Sequence, residues 1–218
     1  MATILMTLAE KKAPRKYEWL INFLTLGRRI KIFKHIKLNY LRENQLLLDA
    51  GCGNGRFMEI ADASWVTPIG VDISESMLYQ TKRRFDGRRL HPKIIRCSIT
   101  NLPLRVELFD IVICTLVLSE LDQQQVKKSL SELYCCLKNH SLLILVTESK
   151  PKSRAKHYLF NLLRTPAFLI AALIAKIPRH PVHDMKALVT DLAGTLLEEK
   201  SYLGGHITLF ILKKIDKT

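Results

Sequence analysis

The 218-residue chain has no apolar run that approaches the ~20 residues a membrane-spanning helix needs. The uncharged stretch from Thr165 to Ala175 has eleven. No transmembrane segment is expected. "MATILMTLAE" lacks the basic start of a secretory leader and meets Glu10 too soon. The cysteines are five: Cys52, Cys97, Cys114, Cys135 and Cys136. Their number is odd, and no pair has the spacing of a zinc ligand set or a redox motif. A cysteine-built metal site and structural disulfides are therefore not expected, and a reducing, cytoplasmic setting is. Aromatic residues make up 7% and are not interleaved with the basic runs, as a base-stacking platform would need. Repeats and low-complexity tracts are absent. A hydrophobic content of 48% argues against disorder, and the length suits a single domain over 1–218.

Acids are scarce too. Lys and Arg number 34 against 20 Asp and Glu, a net charge of +14. The excess is clustered: residues 11–42 hold ten basic residues and one acid, and 150–179 hold seven and none. Such a field favours polyanions, whether an anionic membrane surface, nucleic acid or an acidic partner.

What is present is an alternation of strand and helix patterns. A basic helical cap is expected over residues 1–43, with helical spacing from Tyr17 to Leu41 and a break near Gly27. "QLLLDAG", "PIGVDI", "KIIRCSI", "FDIVICTLVL" and "SLLILVTE" read as strands. Helices are expected between them at Arg56 to Ala63, at "SESMLYQTKRRF", and at Gln123 to Lys138, with Asn139 closing the last in the left-handed conformation. A short helix over 184–193 precedes two final strands, "TLLEEKSYL" and "HITLFILKK", around Gly204-Gly205. The short connection makes this pair antiparallel. The expected fold is α/β: a mainly parallel seven-stranded sheet with one antiparallel strand and helices on both faces. Residues 150–183 form an insertion after the fifth strand.

Three of the nine glycines fall at alternate positions in "LLLDAGCGNGRF": Gly51, Gly53 and Gly55. At a strand's carboxyl end such a loop lets a ligand lie against the backbone. The nicotinamide fingerprint G-x-G-x-x-G fails, because Arg56 stands where its third glycine belongs, and no P-loop pattern is present. The next strand ends in Asp72, whose carboxylate can accept two hydrogen bonds from a ribose diol.

"LLLDAGCGNGRF", "PIGVDISESML", "CSITNLPL" and "FDIVICTLVLSEL", in that order, resemble the motifs of class I S-adenosylmethionine-dependent methyltransferases, whose fold is Rossmann-like. Within that superfamily the chain is most similar to the ubiquinone/menaquinone C-methyltransferase group, which also resembles some phospholipid N-methyltransferases. "YEWLINFLTLGRRIKIFKHI" and "SYLGGHITLFILKK" carry that closer similarity. The group's Gly-Leu-Arg-Asn element after the fourth strand is replaced here by Val117 to Glu120.

The resemblance implies that Asp49, Gly51 and Gly53 hold the amino-acid part of S-adenosylmethionine. Asp72 binds its ribose and Ile73 packs on its adenine. Ser98 takes the place of a frequent acid near the adenine amine, Ile99 offers a backbone amide, and Thr115 lies near the sulfonium. Glu120 is the first candidate for a general base, with His157, Tyr158 and His206 behind it. No metal is expected. The apolar stretch Phe168 to Ile174, flanked by Arg164, Lys176 and Arg179, can lie in a membrane interface. A small, lipophilic acceptor, quinone-like or lipid, is the expected substrate, with peripheral contact to an anionic membrane. An RNA or tRNA methyltransferase is the alternative that the charge suggests, although no Asn/Asp-Pro-Pro-Tyr/Phe element follows the fourth strand. A cofactor-binding interaction protein without catalysis is a further alternative.

Overall fold

Strand β1 (Leu46–Ala50) is buried at four of its five positions, as a central strand covered on both faces must be. The computed structural model of the chain describes residues 27–88, 91–149 and 185–215. Among them, six further strands join β1: β2 (Thr67–Asp72), β3 (Lys93–Arg96), β4 (Phe109–Thr115), β5 (Leu137–Glu148), β6 (Gly194–Tyr202) and β7 (Ile207–Lys214). Their order in the sheet is β3-β2-β1-β4-β5-β7-β6. β1 to β5 pair in parallel, and β7 runs antiparallel to both β5 and β6. One reversed strand in a sheet of seven is the expected architecture.

Helix α1 (Arg28–Tyr40) starts after Gly27, which takes φ +67; the expected helical stretch before it lies outside the described residues. Ile32, Phe33 and Ile36 recur at helical spacing and are almost fully buried. They pack with Phe57 of α2 (Arg56–Ala61) on the face of the sheet that carries Leu47, Ile111, Ile113 and Ile144. Phe33 and Phe57 meet edge to face at 5.2 Å between centroids. Burial of each such side chain is worth about 1.5–3 kcal/mol, so Lys31 and Lys34 between them are carried on an apolar footing. At the far end of α1, His35 and Tyr40 both bond the Glu198 carboxylate on the edge strand β6, His35 at 3.0 Å.

The opposite face is covered by α4 (Gln123–Cys135) and the short α5 (Met185–Thr190) over Leu48, Ala50, Val112 and Leu145. α4 opens on a capping box formed by Asp122 and Gln125. The helix stops at Cys135, earlier than its apolar period suggests, because Leu137 already pairs with Phe109 as the first residue of β5. The left-handed residue there is His140 (φ +62) and not Asn139, since the turn falls inside the longer strand. Lys214 closes the end of α4: its buried Nζ donates to the Tyr134 carbonyl of the helix at 3.4 Å and to the Leu137 carbonyl just beyond it at 2.7 Å, and sits 4.9 Å from the Tyr134 ring centroid.

α3 (Glu75–Phe85) follows β2 and packs on α2 through Leu78 and Phe85. Ser74 caps it, accepting from the Met77 amide at 3.4 Å. The chain thus winds outward from β1 through β2 to β3, then crosses to β4 on the other side of β1. This reversal is the switch point where an open α/β sheet leaves a crevice beyond its carboxyl ends.

Candidate functional site

The loop after β1 occupies that crevice. Gly51, Gly53 and Gly55 all have positive φ, at +74, +54 and +74. They differ in what surrounds them. A Cβ on Gly51 would stand 2.2 Å from Val117 Cγ2, in the loop after β4. A Cβ on Gly55 would stand 2.8 Å from Thr81 Cγ2 of α3. A Cβ on Gly53 would meet nothing within 4 Å. The outer glycines therefore serve packing, and the middle one faces open space that a ligand can use.

Two carboxylates flank the loop. Asp72, at the end of β2, accepts from the Gly53 amide and from the Ser74 amide, each at 2.8 Å. Burial raises its pKa, and the backbone amides of Ser74, Gly53 and Ile73 oppose that rise. Each oxygen keeps a further lone pair, so a diol can still donate to it. Asp49, one residue before the end of β1, is 1% exposed, and neither oxygen has a hydrogen-bond partner among the described residues. Burial, and then the negative charge of Asp72, push its pKa up to about 7. A buried carboxylate without donors is costly, and its presence calls for a cationic or hydrogen-bonding ligand. Burial also pushes the Cys52 and Cys114 thiols up, which makes both inert packing groups.

The remaining sequence candidates lie at the carboxyl end of the parallel strands. Ile73 is 68% exposed, an uncovered apolar surface beside Asp72. Ser98 follows β3 and shares a 2.8 Å hydrogen bond with Thr100, while the side chain of Ile99 is buried in the core. Thr115 ends β4 and is half-buried. Glu120 is exposed and closes the 3-10 turn Leu118–Glu120, three residues beyond the Val117 that faces Gly51. His206 sits in the turn into β7, its carbonyl accepting from Ser149 beyond the end of β5. His157, Tyr158 and the Phe168 to Ile174 stretch lie outside the described residues. Sequence reasoning missed Thr81 and Arg84, which bond the loop from α3, and Val117; a Thr or Arg in a helix carries no sequence signal for such contacts.

A groove of about 390 Å³, lined by Tyr40, Arg42, Asp110 and Leu197 among others, lies at the amino ends of β1 and β4. It is on the wrong side of the sheet for the crevice and is no part of this site. Among the described residues no group of three or more His, Cys, Asp or Glu is placed to hold a metal.

A seven-stranded sheet with one reversed strand, a glycine loop at its switch point and an acid ending the second strand define the class I methyltransferase fold with a nucleoside-cofactor crevice. The comparisons agree: residues 48–145 match the family described as the methyltransferase domain. An uncharacterized protein of Methanocaldococcus jannaschii is 34% identical over 134 residues, 60% of this chain and 54% of that one. The demethylmenaquinone methyltransferase of Symbiobacterium thermophilum is 34% identical over 122 residues, 53% of this chain and 47% of the relative. The chain thus spans about half the length of these two relatives.

Two solved structures share the fold at low identity. Magnesium protoporphyrin IX methyltransferase of Synechocystis, with bound SAH, superposes with a TM-score of 0.67 at 17% identity, over 91% of this chain and 87% of that one. A Pyrococcus horikoshii protein gives 0.71 at 16%, over 92% and 99%.

The cofactor of this family is S-adenosylmethionine. The residues fit it on two observations: the orphaned Asp49 carboxylate beside the loop, and the open space over Gly53.

Proposed function

We propose that the protein transfers a methyl group from S-adenosylmethionine to a small, lipophilic acceptor, quinone-like or lipid, at an anionic membrane surface. The bound cofactor supplies an electrophilic methyl on a positively charged sulfur, and the protein supplies position and a site sheltered from water. In this reading Asp49 faces the cationic methionyl part, the loop from Gly51 to Gly53 lies along it, and Asp72 takes the ribose hydroxyls. Ile73 covers the adenine, with Ser98 and Ile99 at its edge. Thr115 borders the reacting centre, and Glu120 is placed to accept a proton from an acceptor that starts protonated.

The observation that carries the membrane half is the outer face of α1. Arg28, Lys31 and Lys34 are exposed there, with Leu38 at 75% exposure beside them. A basic helix face with a protruding leucine suits anionic headgroups. The apolar segment around Phe168 and the 34% identity to a demethylmenaquinone methyltransferase support the lipophilic acceptor. No helix of the described residues is long and apolar enough to cross a membrane, so contact would be peripheral.

The test is methyl transfer from radiolabelled cofactor to fractionated lipid, quinone and RNA pools. Label is expected in the lipid or quinone fraction, with transfer enhanced by anionic vesicles. Label in RNA would move the assignment to a nucleic-acid methyltransferase, and cofactor binding without turnover on any pool would leave only an interaction protein. The ribose role has its own check. Asp72→Ala is expected to weaken S-adenosylhomocysteine binding by roughly 1.5–3 kcal/mol, the scale of hydrogen bonds to a charged group. An unchanged dissociation constant by calorimetry would remove Asp72 from the site.

A further inference from the structure

We propose that Thr81 and Arg84 of α3 are positioning residues for the cofactor, setting the direction of the two loop peptides that follow Gly53. The inference rests on the reading of this loop as the S-adenosylmethionine site. Thr81 is fully buried. Its Oγ1 donates to the Gly53 carbonyl at 2.7 Å, with the Met77 carbonyl farther off at 3.2 Å. One turn on, Arg84 Nε donates to the Asn54 carbonyl at 2.7 Å. Two successive carbonyls of the loop are thus held by side chains three residues apart on one helix face.

The same helix presses on the loop sterically. Thr81 Cγ2 and Phe85 Cε2 lie 2.8 and 3.3 Å from where a Gly55 Cβ would be. Arg84 also bonds Glu59 of α2 at 2.7 Å, and Arg56 and Arg88 share that carboxylate. The charges and hydrogen bonds of Arg56 and Arg84 hold the Glu59 carboxyl below its usual range in spite of its burial. The loop and the helix that begins at it are therefore both pinned to α3.

The consequence follows from peptide geometry. No peptide bond of the described residues is cis. In a trans peptide the N–H points opposite to the preceding C=O. With the Gly53 carbonyl turned to Thr81, the Asn54 N–H must point away from α3. With the Asn54 carbonyl turned to Arg84, the Gly55 N–H points back, and it donates to the Cys52 carbonyl at 3.0 Å. On the other side of the same residue, the Gly53 N–H is committed to Asp72. Gly53 is thus gripped from β2 and from α3, and glycine's own freedom of rotation is removed where the open space lies. An ordered loop spares the cofactor the entropy of ordering it.

The test is S-adenosylhomocysteine binding by calorimetry on the full chain, well below the unfolding temperature. Thr81→Val keeps the shape and removes the hydroxyl, and is expected to raise the dissociation constant about tenfold, since it strands one buried carbonyl. Thr81→Ser keeps the hydroxyl and loses the methyl group, and is expected to bind within about twofold of wild type. Equal affinity of Thr81→Val and wild type, or an equal loss in both variants, overturns the proposal in favour of packing alone. Should Thr81→Val fail to fold, Arg84→Met at the part-exposed position carries the same decision: a severalfold loss supports positioning, and none overturns it. Wild-type protein that fails to bind S-adenosylhomocysteine defeats the underlying reading itself, a separate result.

Discussion

Gly51→Ala is expected to destabilise the protein by about 2–5 kcal/mol. The figure combines the roughly 1–2 kcal/mol of a non-glycine residue in the left-handed region with the roughly 1–3 kcal/mol of overpacking. The added methyl has no escape. It would lie 2.2, 3.2 and 3.3 Å from Cγ2, Cβ and Cγ1 of Val117, so the whole side chain stands in its way. Val117 is β-branched and cannot swing aside without leaving its rotamer. The double variant Gly51→Ala/Val117→Ala should recover the steric part and leave the φ strain. Non-additivity of about 1–3 kcal/mol in urea titrations is the expected signature.

Gly53→Ala is the control that separates fold from function. Its φ is also positive, but its Cβ position is open. It should lose only the conformational part of stability while losing cofactor binding, because the methyl stands where a ligand must approach. If Gly53→Ala binds S-adenosylhomocysteine as wild type does, the open space over the loop is not the cofactor's.

Much of the architecture was legible because the central strands are apolar and bounded by polar residues. The order of the strands was not in the pattern, because β1 pairs with β4 and β5 with β7 across segments far apart in sequence. Errors fell where tertiary pairing overrides local period. The apolar repeat of α4 continues to Leu137, yet Leu137 belongs to β5, because its partner Phe109 lies across the sheet. The site followed the same division. Glycines and a strand-end acid advertise themselves through spacing. Thr81, Arg84 and Val117 act through contacts 28 to 66 residues away in sequence, and no periodicity encodes such distances. Lys214 is a similar case: in sequence it continues a run of surface charge, whereas in the fold it is a buried helix cap.

Asp49→Asn should make the ligand-free protein more stable at pH 8 and poorer at binding cofactor. The native carboxyl has its pKa near 7, through burial and then the charge of Asp72, against an ordinary 3.8. The sign follows from proton counts. Between about pH 4 and 7 the native state keeps a proton that the unfolded chain has already released. Stability must therefore fall as pH rises across that window, from its full value below pH 4 to a complete penalty above pH 7. A shift of about three units corresponds to a penalty of about 4 kcal/mol at most, and Asn removes it by carrying no charge. For a chain of this length, thermal unfolding at pH 8 should rise by at most about 8–16 °C over wild type, while at pH 4 the two should nearly coincide. Asp72, raised by burial as well, strengthens the trend in wild type and is relieved of its neighbour in the variant. The cofactor should show the converse: a cationic ligand beside Asp49 favours the ionised form, so its affinity in wild type rises with pH through 7, and Asp49→Asn flattens that rise. A variant that stays as pH-sensitive as wild type, or loses stability at pH 8, would show that Asp49 is ionised and satisfied without a ligand. Asp49 would then no longer be a residue that the methyl donor is needed to satisfy.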